Sequence, residues 1–157
     1  MNTLVQNEIN ILHMTQAIRG ELMDMLSDAD LAYKLPGNNP TLGELCVEMG
    51  QVQRSYMDSF KTLKQNWSYA AVDPALKGSV ARLKAWYQEL DAELDAVLKG
   101  LDEQTVQTAT IDRGFPAPVR MQFHIYREGL LIFYGKAACY LKAIQRPLPK
   151  QMSEWIG

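Results

Sequence analysis

The sequence has few of the residues that mark a cross-linked or thiol-based protein. It contains two cysteines among 157 residues and no CxxC pair. A disulfide-built scaffold or a cysteine zinc site is therefore not indicated. Cys46 and Cys139 each lie in an apolar helical stretch, so we expect both to pack as small buried residues. A disulfide between them stays an open but less favoured alternative.

Long apolar runs and a strong charge imbalance are also missing. No stretch reaches the roughly 18 apolar residues that a membrane span needs. Residues 1–8 have neither a basic start nor an apolar run, so they do not resemble a signal peptide. The formal net charge of -2 disfavours nucleic acid and acidic membranes as partners. We therefore predict a cytoplasmic protein without a nucleic-acid or membrane partner.

The residues that are present predict an all-α protein built as a four-helix bundle. Apolar residues make up 47% of the chain, enough for residues 1–157 to form a single domain. They recur at helical spacing in four separate stretches. The predicted helices cover residues 3–26, 41–63, 74–98 and 119–144. Residues 27–40 are expected to form a loop, and residues 101–118 either a crossover loop or a short extended piece.

The second predicted helix has the clearest start signal. Thr41 and Glu44 have the spacing of a capping box, in which each side chain bonds the other residue's backbone amide. Apolar residues then follow at steps of three and four, which is the spacing of a bundle seam. These seam residues are Leu42, Leu45, Met49, Val52, Tyr56, Phe60 and Leu63.

The fourth predicted helix is apolar almost all round. Between Gly129 and Leu141 only Lys136 interrupts the apolar residues. A helix of this kind is either central in a core or covered by a second subunit. Because closed twofold symmetry is the commonest solution for an oligomer, we expect a homodimer. An interaction module that binds a different protein through this helix is the alternative.

Residues 126–136, followed by Tyr140, Leu141, Lys142 and Pro149, form a pattern in the fourth helix and tail. Together with residues 41–45 and 54–56 of the second helix, this pattern resembles the DinB/YfiT-like superfamily. The resemblance implies a four-helix bundle that is often dimeric. It also implies a divalent metal held by three histidines, one on helix two and an H-x-x-x-H pair on helix four. Some members of the superfamily act as thiol-dependent transferases or isomerases.

The positions that match the superfamily's histidines hold other residues in this chain. They fall on Gly129 and Phe133 in helix four, and on Glu48 in helix two, or on Gln51 if the register shifts by one turn. Neither Gly129 nor Phe133 offers a side-chain ligand for a metal. We therefore expect a divergent member with no metal and no cofactor at this position.

Two arrangements are possible at the position where the superfamily has its histidines. Phe133 either fills the space as part of the core, or Gly129 leaves a pocket whose rim carries polar groups. In the second case the pocket would bind a small neutral or cationic organic molecule. Its predicted lining is Glu48, Gln51, Tyr56, Tyr126, Gly129 and Phe133.

The alternative function is a metal-dependent enzyme of the thiol transferase or hydrolase class with a rebuilt site. His124 and Glu128 are four residues apart on helix four, and Glu48 could approach from helix two. The competing interpretation is a solvated polar stripe whose charged side chains pair between turns. His13 has no second ligand at metal-binding spacing and is predicted to lie at the surface.

Overall fold

The computed structural model describes residues 1–68 and 72–155, and 73% of the described residues are helical. The elements are α1 (Thr3–Met25), α2 (Asp28–Leu31), α3 (Leu42–Thr62), a 3₁₀ helix (Pro74–Gly78), α4 (Val80–Gly100), α5 (Glu103–Thr108), β1 (Thr110–Asp112), β2 (Pro116–Pro118), α6 (Val119–Ala143) and α7 (Lys150–Trp155). The prediction of an all-α helical bundle is confirmed. Within the described ranges, no helix is long and apolar enough to cross a membrane.

The four long helices form a ring in which α1 contacts α4 and α6, and α3 contacts the same two helices. Helices α1 and α4 are antiparallel, because Asn2 bonds the carbonyl of Leu98 while Asp24 pairs with Lys84. Helices α3 and α4 run in the same direction. Parallel neighbours need a connection along the length of the bundle, and residues 63–68 and 72–79 are the described parts of that connection.

The start of α3 agrees with the sequence prediction. The Thr41 hydroxyl accepts from the Glu44 amide at 3.1 Å, and the Glu44 carboxylate accepts from the Thr41 amide at 2.9 Å. The other end differs by one residue, because Leu63 has a left-handed backbone with φ of 56° and ends the helix. Its side chain is 37% exposed, so Leu63 does not belong to the predicted seam.

Several short elements differ from the sequence prediction. Helices α2 and α5 have four and six residues, which is too short for an apolar stripe to reveal them. The extended alternative for residues 101–118 is correct, since β1 and β2 pair as an antiparallel hairpin. The predicted helix 74–98 is divided, because Pro74–Gly78 is a 3₁₀ helix and Ser79 then caps α4.

Most of the predicted core is buried. Leu45, Met49, Leu83, Trp86, Leu90, Leu130 and Phe133 are all buried. Val52 is only partly buried, and Ile11, which its helical spacing in the sequence places on the apolar face of α1, is 39% exposed. In the tail, the sequence predicts that the apolar residues Trp155 and Ile156 pin the chain to the bundle. Met152 is fully buried while Trp155 is 42% exposed, so Met152 anchors the tail in place of Trp155. Ile156, the other predicted anchor, lies outside the described residues.

Gly50 of α3 allows this helix to pack closely against α4. A Cβ built on Gly50 would overlap the indole ring of Trp86, so the ring lies directly on the helix backbone. Gly20 of α1 is exposed and has open space around it, because no atom lies within 4 Å of a Cβ built at that position.

We expect Gly50→Ala to destabilise the protein by about 1–3 kcal/mol, because overpacking displaces the Trp86 ring. The matched control Gly20→Ala should stabilise it by about 0.5–1 kcal/mol through higher helix propensity. Urea unfolding followed by circular dichroism measures both. Equal effects of the two substitutions would contradict the close approach of α3 and α4.

Candidate functional site

A cleft of about 650 Å³ opens beside the C-terminal half of α3. One side is formed by α3 and the other by the segment that follows it. Most of the lining side chains are polar. The described lining residues are Gln51, Arg54, Ser55, Asp58, Thr62, Lys64, Gln65, Asn66, Ser68 and Val72. Its size lies within the range of small-molecule sites, roughly 300–1,000 Å³.

Hydrogen bonds between buried side chains hold the back wall of this cleft. The Gln65 amide donates to the Ser55 hydroxyl at 2.6 Å. The Gln122 amide of α6 donates to Gln65 Oε1 at 2.6 Å and to Ser59 Oγ at 2.7 Å. Ser55 in turn donates to the carbonyl of Asn66. These bonds join α3, the segment after it and α6, so the wall has little freedom to move.

The hairpin supports the same wall from behind. The backbone amide of Gln65 donates to the Asp112 carbonyl at 2.8 Å, and the backbone amide of Asp112 donates to the Leu63 carbonyl at 2.9 Å. Two backbone bonds therefore join the chain after α3 to β1. The left-handed backbone at Leu63 turns the chain toward this strand.

Arg113, in the turn of the hairpin, makes cation–π contacts with two aromatic rings near the cleft. Its guanidinium lies 5.3 Å from the Tyr56 ring centre and 5.5 Å from the Trp67 ring centre. It also donates to Gln122 Oε1 at 2.5 Å and to the Tyr56 hydroxyl at 3.2 Å. Arg113 therefore has a structural role, because its N–H groups donate to other protein groups.

Arg54, which lines the cleft, has a different environment. Among the described residues it makes no hydrogen bond or ion pair, and its Nε atom is buried without a partner. A buried N–H without an acceptor is destabilising, so native proteins usually satisfy such groups. Sequence reasoning did not single out Arg54, although it lies inside the motif that carries the superfamily resemblance.

The residues of the predicted pocket are divided between the core and two clefts. Tyr56, Tyr126 and Phe133 are buried in the core, where the rings of Tyr56 and Tyr126 lie 5.3 Å apart. Burial raises the pKa of the Tyr126 hydroxyl, so it stays neutral. Gln51 lines the cleft of 650 Å³. At Gly129 nothing lies within 4 Å of a built Cβ.

Glu48 is exposed and lines a separate cleft of about 270 Å³. That cleft also contains Lys136, Cys139 and Tyr140. The predicted pocket with Glu48 and Gln51 on one rim is therefore not the arrangement of this structure. Here the two side chains line different clefts.

The alternative metal site is also arranged differently from the prediction. His124 Nε2 lies 2.7 Å from Glu8 Oε2 of α1, and Arg120 pairs with the same carboxylate. Within residues 1–68 and 72–155, no group of three or more His, Cys, Asp and Glu side chains is placed to hold a metal ion. Glu48, His124 and Glu128 thus do not form a ligand set. His13 lies at the surface as predicted and bonds Asp95 at 2.8 Å.

The two cysteines differ from each other. Cys46 is fully buried as predicted, and burial raises the pKa of its thiol to about 12, so it stays protonated and unreactive. Cys139 is exposed on α6, so the prediction that it packs in the core is wrong. Both are free thiols, and the alternative of a disulfide between them is wrong as well.

A buried polar cluster between α1, α3 and α4 was missed by sequence reasoning. Arg19 is 2% exposed and donates to both carboxylate oxygens of Asp91 at 2.6 and 2.7 Å, and to Gln53 Oε1 at 2.7 Å. Its guanidinium lies 4.0 Å from the centre of the Tyr87 ring. Burial has the largest single effect and lowers the pKa of Arg19, but Asp91 and three neighbouring tyrosines together outweigh it, so the pKa is raised. The cluster is fully paired, so we assign it a structural role.

Comparison with known proteins adds no assignment to these observations. No family model matches the chain, and no curated protein matches it. The resemblance to the DinB/YfiT-like superfamily therefore rests on the motifs in helices α3 and α6 and stays a prediction.

We expect Asp91→Asn to cost about 3–5 kcal/mol, because it leaves the Arg19 charge buried without its counter-ion. Asp95→Asn is the matched control, one turn further along α4. Asp95 is half-buried like Asp91, but its partners His13 and Lys99 are exposed, so the substitution leaves no buried charge unpaired and should cost less than about 1 kcal/mol. Chemical unfolding compares the two variants. An Asp91→Asn cost as small as the control's would contradict the structural role of the pair.

Proposed function

We propose that this protein is a divergent DinB-like homodimer that binds a small organic molecule in the cleft beside α3. The cleft itself is the observation that carries the proposal. It is of suitable size, and its polar lining offers several donors and acceptors for orienting a ligand. We propose no metal and no cofactor for this function.

The rigidity of the wall supports binding. The cleft residues Ser55 and Gln65 are already held by hydrogen bonds to each other, to Asn66 and to Gln122. A wall that is ordered before the ligand arrives loses little conformational entropy on binding. Preorganisation of this kind is typical of ligand sites, whereas a cleft between mobile side chains would close or rearrange.

The metal-dependent alternative has weaker support. His124 is engaged by Glu8, and the superfamily's other positions hold Gly129 and Phe133. One carboxylate, Glu48, does not hold a transition metal against water. The proposal is therefore a binding protein, with the rebuilt enzyme site as its rival.

The outer face of α6 supports the homodimer. Ile132 is 62% exposed and Met121 is 46% exposed. Partly buried Ile125 and exposed Cys139 lie on the same face, since all four are separated by helical repeats of four or seven. An exposed apolar stripe on a bundle helix is typical of a subunit interface.

The charges on this stripe favour a second copy of the chain as the partner. Glu128 lies four residues before Ile132, and Lys136 lies four residues after it. In an antiparallel pairing with a twofold axis at Ile132, each Glu128 faces the partner's Lys136. Such a pairing is self-complementary, as a twofold interface requires.

Nuclear magnetic resonance of the full ¹⁵N-labelled chain tests ligand binding. A library of small polar fragments should shift the backbone amides of Ser55, Gln65 and Asn66 saturably, because these residues form the cleft wall. Shifts confined to the cleft of Glu48 would contradict the proposed site. Stoichiometric zinc, nickel or iron in freshly purified protein, lost in Glu48→Ala, would favour the metalloenzyme instead.

Sedimentation tests the dimer. At about 20 µM the protein should have twice the 17.8 kDa mass of one chain. Ile132→Glu should give monomers, because it buries two charges at the axis. Phe115→Glu is the control, since Phe115 is 52% exposed in the hairpin turn, and it should remain dimeric. A monomeric wild type at this concentration would refute the homodimer.

A further inference from the structure

We propose that the ligand of the cleft beside α3 is a singly charged carboxylate with a neutral polar body, and that Arg54 is its anchor. This inference rests on the proposed function of the cleft and adds the chemical class of the ligand. Three features of the cleft support it: Arg54 has no partner among the described residues, the lining carries an excess of positive charge, and the cleft lies near the C-terminus of α3.

Arg54 differs from most other arginines of the chain in having no partner among the described residues. Other arginines of the chain are paired with acidic or amide groups; these are Arg19, Arg82, Arg113, Arg120 and Arg146. Arg54 has no such partner among the described residues, and its buried Nε lacks an acceptor. Arg127 also has a buried Nε without a partner, but it does not line this cleft. Because Nε is buried, a carboxylate in the cleft would bond the two terminal nitrogens of Arg54 and give them the planar, two-oxygen partner that a guanidinium prefers.

The balance of charge in the cleft favours an anionic ligand. Arg54 and Lys64 are the cations of its described lining, and Asp58 is the anion. Asp58 is already paired with Lys61, with 3.7 Å between Oδ1 and Nζ. The lining therefore carries an excess of positive charge, which attracts an anion and disfavours a cation.

The position of the cleft on α3 favours a ligand with a single negative charge. The cleft reaches Thr62 in the last turn of α3, where the helix dipole places partial negative charge. A phosphate dianion is best held at a helix N-terminus, by several backbone amides. One guanidinium near a helix C-terminus suits a single negative charge. The remaining wall consists largely of amides and hydroxyls, which match neutral hydrogen-bonding groups on the ligand.

This assignment reverses the charge that the sequence suggested. The expectation of a neutral or cationic ligand rested on Glu48 as the charged group of the pocket. Glu48 lines a different cleft, and Arg54 takes the corresponding role here.

The test uses three probes on the full ¹⁵N-labelled chain. N-acetylglutamine carries one carboxylate and a polar neutral body, its C-terminal amide is the uncharged analogue, and inorganic phosphate is the competing anion. We expect saturable shifts of the cleft amides with N-acetylglutamine, and binding at least about tenfold weaker for the uncharged analogue and for phosphate, because each lacks the matching group.

The variants assign the effect to Arg54. Arg54→Gln should weaken N-acetylglutamine binding at least about tenfold, and Arg54→Lys should weaken it less, since lysine keeps the charge but loses the planar fork. Arg146→Gln is the control and should bind as the wild type does, because Arg146 pairs with Asp30 and does not line the cleft. The amide spectrum of each variant also reports whether it is folded.

The outcomes separate the two proposals. Binding of the uncharged analogue as tight as that of N-acetylglutamine, or full binding by folded Arg54→Gln, would overturn the carboxylate assignment alone. Tighter binding of phosphate would do the same. If neither these probes nor the fragment library shift the cleft amides, the proposed function fails as well.

Discussion

The pair of Arg19 and Asp91 is the interaction on which the arrangement of the bundle depends. It joins α1 to α4, and Gln53 adds α3 by accepting from Arg19 and donating to Asp91. A buried charge is tolerated only where its partner meets it with good geometry. Sliding any of these helices by one turn would separate the charges inside the core. The pair therefore selects one register, which apolar contacts alone specify less strictly.

Fixing α3 in this way also positions the cleft. Consecutive residues on a helix are separated by about 100°, so Gln53, Arg54 and Ser55 point in three directions. Gln53 points into the charged cluster, Arg54 lines the cleft, and Ser55 joins the wall network. The electrostatic requirement at Gln53 thus determines where Arg54 lies. Stability and the candidate site are linked through one turn of α3.

The long helices were predictable because each has an apolar stripe that repeats over five or more turns. The cleft was not, since its wall depends on Gln65 meeting Gln122, 57 positions further along the chain. The pairing of His124 with Glu8 is likewise remote in sequence, and it removed a predicted metal ligand. Arg19 left a local signal, because it lies between Leu12 and Leu22 at helical spacing. A charged residue at a seam position predicts a buried partner, but not which one.

The cap of α1 has a consequence for how the chain is made. Asn2 is 3% exposed, and its side-chain amide donates to the carbonyls of Leu98 and Leu101 at 2.8 Å each. On the ribosome, α1 therefore emerges long before the carbonyls at the end of α4 that Asn2 bonds, and before Asp91, its ion-pair partner on α4. Its apolar face stays unburied during roughly 100 residues of synthesis, a state that favours aggregation. Expression at lower temperature or with chaperones would act on this interval, before any property of the finished fold matters.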